Sequence, residues 1–201
     1  MIQKLVALLF ILPVTAFFAS GQSWEFAKEK GGVKVYTRKQ PGSSLKSFKG
    51  VADINAPVEK VNNLIGNVKN VDWWDKNVIE LKILAYEKEK YAKYYLVYDS
   101  PWPVTDRDLC VESIIHTDPA TGIRTVEAKP LPNLEPEHPD RVRIRNYWQK
   151  WRVEPKGPNL VHVELEGFVD PGGSVPDWVY NMVITSTPLK VIGGIKTRLE
   201  K

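Results

Sequence analysis

The stretch Asp170–Lys201, which reads DPGGSVPDWVYNMVITSTPLKVIGGIKTRLEK, decides the fold. From Trp178 onward, apolar residues recur at steps of three and four, the spacing of one apolar stripe on an α-helix. The Asp-Pro-Gly-Gly at its start interrupts a strand-like run, and Ser174 is suited to cap a helix N-terminus. Pro188 removes one helical hydrogen bond, so we expect the helix to kink or restart there. The pattern predicts one long C-terminal helix that covers an apolar surface.

Most of the preceding chain carries strand patterns, with alternating apolar and polar residues or β-branched and aromatic runs. The predicted strands are Val33–Arg38, Leu45–Ile54, Val78–Lys88, Tyr91–Tyr98, Arg107–His116, Ile123–Pro130, Val142–Glu154 and Leu160–Val169. Shorter helices are predicted at Trp24–Lys30, after Asn55-Ala56-Pro57 and at Val68–Lys76. No repeat or linker divides the chain. We therefore expect one α+β domain, a curved antiparallel sheet with the long helix on it, an arrangement that often encloses a cavity.

Composition narrows the classes of function. The chain has 201 residues, of which 43% are hydrophobic and 26% charged, as in an ordinary globular domain. Its net charge of +4 is too small and too mixed with acids to indicate nucleic acid, and is compatible with weak attraction to anionic lipid surfaces. The single cysteine, Cys110, excludes an intramolecular disulfide and is expected to be a buried structural thiol.

Residues 1–21 have the pattern of a secretory signal peptide. Lys4 precedes the apolar run Leu5–Phe18, and Ala19-Ser20-Gly21 supplies small residues for cleavage. Cleavage there leaves residues 22–201 as the mature domain and predicts a secreted, periplasmic protein. An uncleaved anchor remains the alternative, although the run is short for a membrane span.

Two motifs are specific enough to indicate a family. The first is Pro101–Asp108 (PWPVTDRD), and the second is Asp170–Trp178 (DPGGSVPDW), followed by Thr187–Lys190 (TPLK). Together with the order of the elements, they resemble the START (steroidogenic-acute-regulatory-related lipid transfer) domain family. The resemblance covers the chain from about Trp24 onward. It implies a helix-grip fold, in which a curved antiparallel sheet wraps around the C-terminal helix and encloses a hydrophobic tunnel for one molecule. Members of the family bind sterols, phospholipids and sphingolipids, and the broader superfamily includes polyketide cyclases and aromatases.

The strand predicted near Arg141–Val153 carries candidate ligand-binding residues. Alternate side chains share a face of a strand, here Arg143, Arg145, Tyr147, Gln149 and Trp151. If this strand pairs with its successor, the two arginines meet Glu164 and Glu166. Two interpretations stay open. The row is an exposed charged face, or one arginine lies in the tunnel and orients a hydroxyl, carbonyl or phosphate of the ligand.

Other candidates are aromatic or apolar side chains. Tryptophans in short helical or loop segments belong either to the core or to the tunnel mouth, where an indole suits a membrane interface. Apolar residues of the C-terminal helix are expected to face the ligand, and Tyr180 offers a hydroxyl. The complete set of predicted ligand-binding residues is Trp73, Trp74, Trp102, Arg143, Arg145, Tyr147, Trp151, Phe168, Trp178, Val179, Met182 and Val183. Asp106-Arg107-Asp108 is interpreted as structural, with Arg107 in an ion pair that fixes the start of a strand.

No motif for catalysis or metal binding is present. His116, His138 and His162 stand alone without metal-ligand spacing, and there is no nucleophile elbow or HExxH. We therefore predict a monomeric protein that is not an enzyme and needs no cofactor or metal. It binds one lipid, sterol-like or other hydrophobic small molecule for transport or sensing, with transient membrane contact and no nucleic acid.

Two alternative functions remain open at this point. One is a polyketide cyclase/aromatase- or hydrolase-like enzyme that uses the same cavity. The other is a surface interaction protein with a packed core, which a structure without a cavity of about 300 Å³ or more would favour.

Overall fold

The computed structural model describes residues 23–71, 76–100 and 104–200. Within them the chain forms ten strands and two helices. Their bounds are β1 (Glu25–Lys30), β2 (Val33–Lys39), β3 (Lys46–Ile54), α1 (Val58–Leu64), β4 (Val78–Glu87), β5 (Tyr91–Tyr98), β6 (Arg107–Thr117), β7 (Arg124–Pro130), β8 (Val142–Arg143), β9 (Asn146–Gly157), β10 (Leu160–Asp170) and α2 (Asp177–Leu199).

The strands form one sheet in the order β1-β2-β3-β10-β9-β7-β6-β5-β4, with antiparallel neighbours throughout. The short β8 lies off this path and pairs parallel with β6. The last strand therefore pairs with β3 and β9 in the middle of the sheet, and α2 follows directly from it. The predicted α+β class, a curved antiparallel sheet around a long C-terminal helix, is confirmed.

The concave face of the sheet is apolar because alternate residues of each strand point toward the helices. On β9 this face carries Trp151 and Val153, which oppose Leu165 and Val163 on β10. The helix α2 packs on β2 and β3, where its Ile192 and Ile195 are fully buried. The main core lies between these strands and α2, and the principal contacts of α2 with the sheet are to β1, β2 and β3.

The convex face carries the charged row that the alternation predicts. Lys49 Nζ lies 2.7 Å from Glu164 and 3.1 Å from Glu166 across the β3–β10 ladder. His162 Nδ1 lies 2.6 Å from Asp53 on the same face. At β3 and β10 this face is therefore the solvent side of the sheet, whereas at β5 and β6 it buries Tyr95, Val97 and Cys110.

Two of the predicted short helices are wrong. Residues 25–30 of the first form strand β1, because Gly31 and Gly32 adopt positive φ and turn the chain back so that it pairs with β2. This pairing overrides the helix propensity of Ala, Lys and Glu in the segment. The other, Val68–Lys76, has a turn at residues 68–69 and no helix in its described part, and residues 72–75 lie outside the described residues.

The C-terminal helix is confirmed, with a different start and no restart. It begins at Asp177 after Pro176, without a side-chain cap, so the predicted cap at Ser174 is wrong. It runs through Pro188, which supplies no N–H. The hydroxyls of Thr185 and Thr187 donate to carbonyls one turn earlier, at Asn181 and Val183.

Among the described residues, no helix is long and apolar enough to cross a bilayer.

Candidate functional site

A cavity of about 170 Å³ lies on the concave side of the sheet, beside α2. It is bounded by the turn after α1, by four strands and by one residue of α2. The lining residues are Ile65, Gly66, Asn67, Val68, Tyr94, Leu96, Ser113, Val126, Ala128, Tyr147, Gln149, Trp151 and Val191. The cavity is smaller than the roughly 300–1,000 Å³ usual for small-molecule sites.

Small side chains create the cavity. Ser113 on β6 pairs with Ala92 on β5 and with Ala128 on β7, so three adjacent positions on the concave face lack bulk. The helix α2 lies over β2 and β3 instead and does not fill this space. The uncovered strands β5 to β7 and the turn at Ile65–Val68 therefore enclose a gap.

The polar groups of the cavity are uncharged. Tyr147 Oη donates a hydrogen bond of 2.5 Å to Gln149 Oε1 on the same face of β9. Burial, together with the neighbouring Tyr94, raises the pKa of Tyr147 well above its ordinary value, so the phenol stays protonated at neutral pH. The Gln149 amide retains two N–H donors, and the Ser113 hydroxyl can donate and accept. The wall can thus hold a neutral polar group.

Arg143 points away from the cavity. Its guanidinium forms a bidentate pair with Asp108, with Nε–Oδ1 and Nη2–Oδ2 distances of 2.8 Å. It also donates to the backbone carbonyls of Pro132, Glu135 and Pro136, in the proline-rich loop that follows β7. Both charged side chains are almost fully buried, at 2% and 1% exposed. Arg143 therefore anchors that loop, and none of its contacts is to the cavity wall.

The environment of Asp108 is governed by this pair. Burial by itself would raise the pKa of the carboxyl group, but the hydrogen bonds and charge of Arg143 outweigh burial and hold the pKa below its ordinary value. Tyr95 Oη adds a hydrogen bond of 3.1 Å to Oδ2. The carboxylate is therefore charged, and both of its oxygens accept hydrogen bonds from protein side chains.

Arg145 lies at the surface and pairs with Glu137. The predicted pairing of both arginines with Glu164 and Glu166 is wrong. The predicted strand is interrupted between β8 and β9, at residues 144–145, so the two arginines do not continue the β9 ladder. The register instead places Arg152 opposite Glu164 and Lys150 opposite Glu166.

The predicted ligand-binding residues occupy three environments. Tyr147 and Trp151 line the cavity. Phe168 pairs with Trp148, on the face of the sheet opposite the cavity. On α2, Val179 is half-buried, whereas Val183, Met182 and Trp178 are exposed. Trp73, Trp74 and Trp102 lie outside the described residues.

Trp178 and Met182 of α2 point outward because another side of the helix packs on β3. Gly50 on β3 brings the sheet close to Pro188 and Ile192, so that side of α2 is buried. Trp178 and Met182 lie on another side and are 70% and 57% exposed. Neither is among the residues that line the cavity.

Sequence reasoning missed most of the cavity wall, including Tyr94, Ser113, Ala128 and Val191. The available signal was alternation on β5, β6 and β7, which places Tyr94 and Leu96 on one face. That signal does not tell which face is concave. Alternation places Gln149 on the face of Tyr147, but the predicted ligand-binding set does not contain it.

Arg107 is buried, and its hydrogen bonds are to backbone carbonyls and not to the acidic partner of the predicted ion pair. Its Nε donates to the carbonyl of Pro171 at 3.2 Å, and its Nη2 donates to that of Gly172 at 3.3 Å. The buried ion pair of this segment is formed by its neighbour, Asp108, with Arg143. Arg107 thereby ties the start of β6 to the turn that leads into α2.

The predicted state of Cys110 is confirmed. The thiol is fully buried and free, and burial raises its pKa. Among the described residues, no group of three His, Cys, Asp or Glu side chains is arranged to hold a metal ion.

Known proteins are similar to this chain over the whole region that forms the cavity. The sequence model of the START domain family matches residues 18–201, which include every lining residue. An uncharacterized protein of Pseudomonas aeruginosa is 34% identical over 184 residues, covering 91% of this chain and 90% of that protein. The phosphatidylcholine transfer protein of Bos taurus is 26% identical over 169 residues, covering 81% and 77%. The crystal structure of a STAR-related lipid transfer protein from Xanthomonas axonopodis superposes with a TM-score of 0.79 at 27% identity, covering 89% and 99%.

Proposed function

Because this chain is a member of the START domain family, we propose that it binds one lipid or other hydrophobic small molecule between α2 and the concave face of the sheet. The role is transport or sensing of that molecule, as a monomer and without catalysis. The observation that carries the proposal is the largely apolar cavity with a few uncharged polar groups. Two similar proteins, from Bos taurus and Xanthomonas axonopodis, are named for lipid transfer.

A ligand of lipid size requires the cavity to open beyond its present volume of about 170 Å³. We expect the opening at α2, because this helix carries weak points. Pro188 contributes no N–H, and three hydroxyl side chains just before it donate to backbone carbonyls within the helix. Such side-chain bonds weaken and bend helices. Binding energy comes mainly from apolar burial, at roughly 25 cal/mol per Å² before the cost of ordering.

Tyr147 supports binding more than catalysis. Its raised pKa keeps the phenol protonated at neutral pH, so it is a hydrogen-bond partner and not a base. Arg145, which alternation places on the same strand face as Tyr147, is paired with Glu137 at the surface. The two side chains therefore do not form one reaction centre in this conformation.

We also propose that the protein is exported and that it contacts membranes through α2. The pattern of residues 1–21 supports export and cleavage after Gly21, and hence a secreted, periplasmic carrier. The exposed apolar side chains Trp178 and Met182 on α2 support transient contact with a membrane surface, where a tryptophan is favoured at the interface. Contact at α2 would place the opening of the cavity next to the lipid.

The test is identification of bound lipid in a cavity-filling variant. Native mass spectrometry of the purified protein, followed by organic extraction, should find one lipid per chain. Ala128→Phe places a ring in the cavity and should abolish the bound lipid while the protein stays folded. Lys129→Phe puts the same ring on the opposite face of β7 and should retain it. Equal lipid content in the two variants would contradict binding in this cavity.

The alternative is an interaction protein with a packed core. The present cavity volume, below about 300 Å³, favours it. Under this alternative the purified protein is empty and takes up no sterol, phospholipid or fatty acid offered in vesicles. Thermal unfolding then stays unchanged by lipid, whereas a bound ligand raises the midpoint.

A further inference from the structure

We propose that the end of the ligand buried in this cavity is polar but uncharged, so that the protein selects neutral lipids, such as those ending in a hydroxyl or an ester, over lipids with a buried phosphate. This inference rests on the proposed lipid-binding function and narrows it. It starts from the wall, where the described lining residues include five polar ones and none with a charge. Those five are Asn67, Tyr94, Ser113, Tyr147 and Gln149.

The buried arginines of the described chain are committed to other partners. Arg143 is saturated by Asp108 and three carbonyls, and Arg107 donates to carbonyls at the turn before α2. Arg124 shares a strand face with the lining residue Val126. Its guanidinium pairs with Glu89 and donates to the carbonyl of Asn62 in the last turn of α1.

Arg124 is buried, and its Nε has no hydrogen-bond partner among the described residues. It is not one of the lining residues, however, and the Glu89 carboxylate balances its charge. The two internal segments outside the described residues, 72–75 (DWWD) and 101–103 (PWP), contain no lysine or arginine in sequence. A buried phosphate would therefore lack a free counter-charge.

The energetics separate the two ligand classes. Moving an ionised group from water into an apolar site without a partner costs far more free energy than moving a hydroxyl or carbonyl that forms a hydrogen bond there. The wall offers such bonds, because the Gln149 amide retains its N–H donors after Tyr147 occupies its oxygen. The Ser113 hydroxyl adds a group that donates or accepts. A hydroxyl or ester oxygen forms hydrogen bonds with these groups. The same bonds do not compensate for the cost of removing a charged phosphate from water.

The experiment compares three lipids with identical acyl chains. Dioleoylglycerol, dioleoyl-phosphatidylcholine and dioleoyl-phosphatidylglycerol are offered separately in mixed vesicles, and uptake is measured by native mass spectrometry. We expect dioleoylglycerol to bind at least about tenfold more tightly than either phospholipid, a difference of about 1.4 kcal/mol. Equal or tighter binding of a phospholipid would overturn the inference and leave lipid binding intact. Uptake of none of the three would contradict the proposed function itself.

Variants test the groups that make the selection. Gln149→Leu removes the amide while keeping the side-chain size, and should lower dioleoylglycerol binding about fivefold to thirtyfold without improving phospholipid binding. Lys150→Leu, the next residue on the opposite face, should leave the selectivity unchanged. Ser113→Ala is the second probe if Gln149→Leu does not fold, and should lower dioleoylglycerol binding in the same way. If phospholipid binding falls on Arg124→Gln, the phosphate reaches Arg124 and the inference is wrong.

Discussion

Two arginines, separated by one residue in the sequence, show how strongly position determines a side chain's role. Arg143 has a side chain only 2% exposed and forms a bidentate pair with Asp108. The side chain of Arg145 is 55% exposed and pairs with Glu137. A buried pair that loses one partner leaves an uncompensated charge, whereas solvent screens an exposed pair. The two sites therefore form a matched comparison.

We predict that Arg143→Leu lowers the free energy of unfolding by about 3–5 kcal/mol, because it leaves the Asp108 carboxylate buried and unpaired. Arg145→Leu, the control, should change it by less than about 1 kcal/mol. Urea denaturation followed by tryptophan fluorescence measures both. A small loss at Arg143, equal to that at Arg145, would mean that the buried pair does not hold the proline-rich loop.

The same pair predicts a pH dependence. Its carboxyl group has a pKa below the unfolded value of about 3.9, so the pair stabilises the fold above that pH and the stabilisation is lost as pH falls through the folded pKa. The free energy of unfolding of the wild type should thus fall steeply below about pH 4. Asp108→Asn should be less stable at neutral pH but show a shallower acid slope, and Glu137→Gln should follow the wild-type curve. If the free energy of unfolding falls with the same slope in all three proteins, groups other than Asp108 cause the acid sensitivity.

At the scale of secondary-structure elements, the contact of α2 with β3 depends on a glycine. A Cβ added at Gly50 would lie 2.5 Å from Pro188 Cβ and 2.9 Å from Ile192 Cδ1. Real side chains do not approach so closely, so any larger residue pushes α2 away from the sheet. Glycine at this position therefore allows the close packing that holds one side of the helix.

We expect Gly50→Ala to destabilise the fold by roughly 1–3 kcal/mol through this overpacking. Gly193→Ala is the matched control on α2 itself, since its Cβ meets no neighbouring atom within 4 Å. The control should stabilise the protein by about 0.5–1 kcal/mol, because alanine favours helix over glycine. Thermal unfolding compares the two, and a neutral Gly50→Ala would mean that α2 is free to shift outward at little cost.

At the scale of the whole molecule, the long helix has two different surfaces. One packs on β2 and β3 and reaches the cavity at Val191, and another exposes Trp178 and Met182 to solvent. A carrier that loads from a membrane needs an apolar outer surface near its opening. The molecule therefore has the arrangement that docking at α2 requires.

We predict that the double change Trp178→Ala with Met182→Ala lowers binding to phosphatidylglycerol-containing vesicles several-fold, because it removes the apolar anchor. The amount of lipid bound to the purified variant should not fall, since neither residue lines the cavity. Ile79→Ala is the control, an equally exposed apolar residue (58%) on the edge strand β4. Vesicle co-sedimentation gives the first result and native mass spectrometry the second. An effect of Ile79→Ala as large as that of the double change would argue against docking through α2.

The sequence by itself determined the elements whose pattern is local. The apolar steps after Trp178 predicted α2, alternation predicted most strands, and two motifs indicated the family. Alternation on β9 also placed Tyr147 and Trp151 on one face, and both line the cavity. These signals depend on residues within a few positions of one another, which is why they can be read from one chain.

Only the tertiary structure decided the pairing, the concave face and the partners of the charged residues. Residues 25–30 form a strand because β2 lies beside them. Arg143 pairs with Asp108, 35 residues away in the chain, because β8 lies beside β6. The cavity exists because Ser113 and Ala128 come together on neighbouring strands that α2 does not cover. Such contacts depend on register and packing between segments that are distant in the chain, so local periodicity does not predict them.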